Sequence, residues 1–495
     1  MKKLICLLLA LSLFVTMFVA CGPENDPDDD KKTAESTEAD TNGDATDGNG
    51  SDDETTGGET GYQDPLKDEN LGTATGPSEV NMLVRQNRYY YLWMPDGNSA
   101  DTVERAVFSR NDEIEVRFNV EIAIEECESV AASFKKKIEE TSSTYYYDIV
   151  CWDYFWALEQ NGQFADIQAM SEIDTNDYWW HEGWNKNVTI NGKQFSISGD
   201  AALEALQNLE VIFYNKQIAE QYQLELYDLV DEGAWDIATM KAICEQVANN
   251  LDDDDTSNDF WGALYDVHSL RSGLFSSGMQ FAVKNADGGI SIPSDNASKT
   301  RLIDACDAFT ALIHSPAVNY SSATARARDY SLFKEQNALF FASCLLIGKD
   351  MKALGLPFDY GILPAPKLNG DADYISTAYG VSIFSIPNSC ENMHRAAVIL
   401  NAMNALANIA VEDGVVWTFY EQVIKGRVAD EPADAKMIDL ARDSLYFDFA
   451  FVNEGLGLLG AAQTAAAGGT SLNTSLSGAL RSAKQKLDDL LVVYQ

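Results

Sequence analysis

Apolar and polar positions along this chain fall into two periods that alternate. Val80-Asn81-Met82-Leu83-Val84 is a short apolar run that predicts a strand, and Asp101 to Phe118 predicts a helix. Within that helix Val103, Val107, Ile114 and Phe118 recur four or seven residues apart and so share one face. A second strand is expected over Val120 to Ile124, then a helix through Phe134 and Ile138, then a third strand over Tyr147 to Cys151. Leu209 to Tyr214 reads as a further strand, leading into a helical region with Trp235, Met240, Ile243 and Val247. Leu302 to Ile313 predicts a helix, and strands are expected at Ala338 to Ala342, Asp359 to Leu363 and Ala378 to Ile386. A helix over Glu391 to Leu406 is expected to be capped by Asn388-Ser389, and Leu476 to Val493 reads as a final amphipathic helix. Strands alternating with helices argue for an α/β architecture with a largely parallel sheet.

The first eighty residues carry a different pattern. Lys2 and Lys3 precede an apolar run from Leu4 to Ala20 that stops at Cys21, the arrangement of a secretory leader. Phe18-Val19-Ala20-Cys21 resembles the lipobox of bacterial lipoproteins, with Phe18 where that pattern usually has Leu. The resemblance implies cleavage before Cys21, acylation of its thiol, and a lipid-anchored protein on the extracytoplasmic face of the cell membrane. From Gly22 to Ser78 the sequence is built of Asp, Glu, Thr, Gly and Asn and cannot bury a core. It is read as an acidic disordered tether over residues 21–78, with an end-to-end reach of about 40 Å as a flexible coil.

Charge and cysteine usage narrow the function classes. A formal net charge of −42 repels polyphosphates, so a nucleic-acid partner is not expected. Cys127, Cys151, Cys244, Cys306, Cys344 and Cys390 are scattered without metal-ligand spacing, and small buried thiols are the default reading. His181, His268, His314 and His394 are isolated, so no metal and no cofactor are expected. No G-x-S-x-G elbow, Walker loop or H-E-x-x-H helix occurs, and the chain is read as a non-enzyme.

Several landmarks fall in an order that resembles the extracellular solute-binding proteins of bacterial ABC importers, the maltose-binding-like family 1 group. They are Arg117-Phe118-Asn119-Val120-Glu121-Ile122, Tyr147-Asp148-Ile149-Val150, Phe164-Ala165-Asp166-Ile167, Tyr214-Asn215-Lys216 and Gly233-Ala234-Trp235-Asp236. Phe333 to Ala338, Asp359 to Lys367 and Tyr379-Gly380-Val381 complete the set. The resemblance implies a two-lobed, type II periplasmic-binding-protein-like α/β fold with a multi-crossing hinge, residues 79–212 plus 363–410 forming one lobe and 213–362 plus 411–495 the other. It implies a monomer that captures a small-molecule ligand, foremost an oligosaccharide, between its lobes and passes it to the permease subunits of an ABC transporter. One loop departs from the calcium-binding pattern of many such proteins. Asp252 to Asp259 lacks the glycine that a calcium turn needs, so a solvated acidic loop is expected.

In open α/β sheets ligands lie beyond the carboxyl ends of strands. Trp152-Asp153-Tyr154 follows the third strand and Arg85 the first, and these four are the candidate ligand contacts. By the resemblance Trp152 is a sugar-stacking ring, and Tyr379 faces the cleft from the Tyr-Gly-Val stretch. Tyr178-Trp179-Trp180 with Trp184 is expected mainly in the core. Leu345, where some relatives place an aromatic stacker, argues against a maltose-like ligand. Binding of a peptide or polyol, an adhesion or sensor module, and a glycosidase with paired carboxylates stay open beside the sugar-importer reading.

Overall fold

The structure, a computed structural model, describes residues 64–86, 92–94, 97–140, 147–153, 162–249, 258–323, 328–378, 380–453 and 456–495. Two sheets organise them. The first contains β1 (Ser78–Arg85), β2 (Val120–Cys127), β3 (Ile149–Asp153) and β11 (Ser382–Ser385) in the order β11-β3-β1-β2. Strand β1 runs parallel to both β2 and β3, and β11 closes the edge antiparallel to β3. The second contains β4 (Glu210–Asn215), β5 (Trp261–Asp266), β8 (Val318–Ser321), β9 (Ala338–Cys344) and β10 (Tyr360–Leu363), in the order β10-β4-β9-β5-β8. A small antiparallel hairpin, β6 (Val283–Lys284) and β7 (Ile290–Ser291), lies between β5 and β8 in sequence.

The inner strands β4 and β9 are buried on both faces, which explains why they read as nearly continuous apolar runs. Val80, Met82 and Val84 point to one side of β1 and Leu83 to the other, all fully buried. The helix Thr102–Phe118 starts where Asp101 accepts the N–H of Val103 at 2.8 Å. It stops at Asn119, whose left-handed φ of 52° turns the chain directly into β2. The later helix spans Met393–Ala405, and its cap is Asn392, accepting the N–H of Arg395. That differs from the expected Asn388-Ser389, because Asn388 is drawn into a hydrogen bond with Gln163 and ends the bridge at Pro387.

Three chain crossings join the sheets. The first runs through Glu204–Gln207 into β4, which lies wholly in the second sheet. The second returns from β10 to β11. In the third, Met393–Ala405 packs on Thr102–Phe118, and the segment Val415–Trp417 with Thr418–Val428 bridges that helix and Leu345–Leu354. The crossing ends in Pro432–Asp443, packed on β10 and β4.

The chain meets the domain ahead of β1. Arg117 pairs with Asp64 and Asp68 at 2.5 and 2.7 Å, His394 bridges Glu69 and Glu172 at 2.8 and 2.6 Å, and Leu66 and Leu71 pack on the core. All six described cysteines are free thiols, five of them buried and Cys127 half-buried. The leader, Cys21 and most of the acidic loop at 252–259 lie outside the described residues. Among the described residues no helix is long and apolar enough to cross a membrane, and no group of three metal-ligating side chains occurs.

Candidate ligand cleft

The carboxyl ends of the parallel strands of the two sheets are brought together by the second crossing. In the first sheet Asp153, the last residue of β3, pairs with Ser382. In the second, Glu210 opens β4 opposite Cys344, where β9 ends, and Asp266 ends β5 opposite Ser321. The segment approaching β11 stitches these edges. Ala378 bridges Leu209, Glu210 donates its N–H to the Thr377 carbonyl at 3.1 Å, and the Asn208 amide donates to the Gly380 carbonyl at 3.0 Å. Only a few residues of chain therefore separate the two strand-end edges, and the space beyond them is the candidate cleft.

The second-sheet wall of this cleft carries a buried charge cluster. Glu210 is 4 % exposed, and burial pushes its carboxyl up to about 7, against the pull of Arg328 and with added repulsion from Asp266. The Arg328 guanidinium stands 3.5 Å from Glu210 Oε1, and the Arg328 backbone N–H donates to the Asp266 carboxylate. Asp266 also caps the helix Val267–Ser276, accepting the N–H groups of His268 and Ser269 at 2.8 and 2.9 Å, while Ser269 Oγ accepts the N–H of Asp266. Burial pulls the His268 imidazole below its ordinary value, with the Arg328 and Arg271 charges adding to the effect and Asp266 opposing it. Buried Arg271 adds its charge to His268, and half-buried Tyr320, one residue before the end of β8, feels the Asp266 carboxylate. A carboxylate–guanidinium–carboxylate set offers donors and acceptors in fixed directions, the chemistry that pairs vicinal hydroxyls.

Of the five residues expected from sequence, Arg85 and Asp153 end strands of the first-sheet wall. Arg85 ends β1 and is exposed. Asp153 ends β3 with its backbone paired to Ser382. Trp152 is also at that strand end, but its indole is 1 % exposed and lies in the core. It packs against Phe164 with ring centroids 5.0 Å apart and donates to Ser385 Oγ at 3.3 Å. Strand parity is the reason, since Trp152 follows Val150 and Leu83 into the core on one side of the sheet, whereas Cys151 follows Val84 into the other. Tyr154 and Tyr379 lie outside the described residues.

Sequence reading did not single out Glu210, Asp266, Arg271 or Arg328. Two of them had a signal. Asp266-Val267-His268-Ser269 after the apolar Ala263-Leu264-Tyr265 is a strand running into a helix cap, and Glu210 is the one charge in a strand that is otherwise apolar up to Tyr214. Tyr214-Asn215-Lys216, one of the family landmarks, ends β4 and caps the helix Lys216–Gln221 through Asn215. Ser343-Cys344-Leu345 is the junction of β9 with Leu345–Leu354, and Leu345 is fully buried.

Comparison with known proteins places this architecture. No protein-family model matches the sequence, and no curated protein matches it. Solved structures do match. The sugar-binding protein MalE from the phytopathogen Xanthomonas citri aligns over 84% of this chain and 97% of its own, with 13% identity and a TM-score of 0.56. A sugar transporter from Rhizobium etli in an open conformation aligns over 82% and 99%, with 14% identity and a TM-score of 0.56. The cyclic alpha-maltosyl-1,6-maltose binding protein from Arthrobacter globiformis aligns over 84% and 99%, with 16% identity and a TM-score of 0.52. The chain thus has the two-lobed α/β fold of maltose-binding-like, type II solute-binding proteins.

Proposed function

We propose that this protein is a non-enzymatic substrate-binding protein that takes a neutral carbohydrate, foremost an oligosaccharide, between its two lobes. In this reading it delivers that ligand to the permease subunits of an ABC importer. The observation that carries the reading is the meeting of both sets of strand ends at the 376–382 crossing, with buried Glu210 and Asp266 and half-buried Arg328 on one wall. The lobe boundaries of this proposal fall at the three crossings, and the fold neighbours are described as sugar-binding proteins. Ligand contacts to both walls favour the closed state over the open one. We assign Arg328 and Asp266 on the second-sheet wall, and Arg85 and Asp153 on the first, as the polar ligand contacts.

Thermal unfolding against a panel of oligosaccharides, monosaccharides, polyols and peptides tests this. A ligand at about a hundred times its Kd stabilises the native state by roughly 2.7 kcal/mol, a midpoint shift of a few degrees. A sugar is expected to produce that shift in the wild type and to lose most of it in Arg328→Ala at the same concentration. A shift produced only by a peptide would replace the sugar assignment, and an undiminished sugar shift in Arg328→Ala would remove this wall from the site.

The same proposal includes a lipid anchor at Cys21 on the extracytoplasmic face, supported by the leader pattern Lys2 to Ala20 and the lipobox-like residues before the cysteine. Cys21→Ser is expected to move the protein from the membrane fraction into the soluble fraction. Membrane retention equal to wild type would count against acylation.

A further inference from the structure

Away from the strand ends, a cavity of about 810 Å³ opens beside the helix Glu182–Val188, with Lys284 of β6 also in its lining. That volume lies in the usual range of small-molecule sites, about 300–1,000 Å³. Three polar groups in its lining have no partner among the described residues. The Trp180 indole N–H is buried and unpaired, although Trp180 itself is 4 % exposed. Among the described residues the half-buried Asp177 carboxylate and the half-buried Lys284 ammonium have neither a side-chain hydrogen bond nor an ion pair. Next to them the Tyr178 ring is 59 % exposed, held edge-on against Trp179 with centroids 5.0 Å apart. A second cavity of about 340 Å³ continues past Tyr178 and Glu182 toward His181 and Arg442.

We infer that this groove is a second carbohydrate site, separate from the strand-end cleft, in which Tyr178 stacks on a pyranose while Asp177 and Lys284 pair its hydroxyls. An unpaired acceptor and unpaired donors flanking an exposed ring match a neutral polyhydroxylated ligand, which presents both hydrogen-bonding roles and an apolar face. A polyanion fits poorly, because Asp177 and Glu182 line the same groove and the whole chain is strongly acidic. None of the lining residues belongs to the strand ends, so this site stands or falls apart from the cleft.

Equilibrium dialysis of the full chain with maltoheptaose and with cellopentaose tests it by stoichiometry. Wild type is expected to bind two molecules of one of these sugars per chain. Tyr178→Ala and Asp177→Asn, both surface changes, are expected to weaken one site about tenfold and leave the other unaltered. A single wild-type site abolished by Tyr178→Ala would uphold the groove and count against the cleft. A single site indifferent to both substitutions, or binding of neither sugar, would overturn the groove.

Discussion

Asp434→Ala is expected to destabilise the fold by about 3–5 kcal/mol, the range for stripping one partner from a buried ion pair. Asp434 is fully buried at the start of Pro432–Asp443, where the third crossing docks on the second sheet. One carboxylate oxygen accepts the N–H of Ile362 in β10 at 2.8 Å and the hydroxyl of Tyr227 at 2.6 Å. The other accepts the N–H groups of Asp430 and Glu431 at 3.1 and 3.3 Å and faces Lys216 Nζ at 3.0 Å. Alanine takes the acceptor from the buried Ile362 N–H and from the Asp430 and Glu431 N–H groups at the helix start, and Lys216 keeps only the more exposed Glu431 at 2.6 Å. Asp434→Asn should fall between, since one amide oxygen still accepts while the NH2 group faces donors. Urea unfolding measures both, and an Asp434→Ala stability within 1 kcal/mol of wild type would deny this hub its role in holding the crossing.

How legible this was from sequence differs from element to element. The early β-α-β-α-β run could be read because Val103, Val107, Ile114 and Phe118 keep a helical period between compact apolar strands, and all four side chains are buried. Strand β5 was hidden because Phe260-Trp261-Gly262 directly follows the charged run ending at Asp259, so its apolar stretch looks like the tail of a loop. Gly262 is there for closeness, since a Cβ at that position would sit 2.4 Å from the Cα of Cys244 in the helix behind it. The helix Leu458–Ala467 is rich in alanine and offers no contrast between faces.

The site was legible to the level of the strand end and no further. Sequence places Trp152 beyond the sheet, but which side of the strand faces ligand depends on where Val130–Glu140 packs, and that is a tertiary fact. The aromatic run divides in the same way, Trp179, Trp180 and Trp184 going inward and Tyr178 outward. The second-sheet wall draws on Glu210, Asp266 and Arg328, more than fifty residues apart at each step, and only the order of strands in the sheet makes them neighbours.

Replacing Glu210 with glutamine is expected to remove a pH dependence of stability that the buried carboxyl imposes. Its value in the unfolded chain is near 4.5 and in the folded protein about 7, so between those limits the native state holds more protons than the unfolded state. Stability contributed by the protonated carboxyl is therefore complete below pH 4.5, declines as pH rises through the window, and is gone above 7. The shift corresponds to an effect on the order of 3 kcal/mol. Glutamine keeps the shape and a hydrogen-bonding oxygen for Arg328 without titrating, so Glu210→Gln should gain on wild type steadily from pH 4.5 to pH 7 and hold that gain at pH 8. Urea midpoints across this range read the difference directly. Parallel profiles for the two proteins would mean that Glu210 is ionised throughout and that Arg328 outweighs burial. In that case the cleft wall would present a fixed ion pair to ligand, in place of a carboxyl that can both donate to and accept from a sugar hydroxyl.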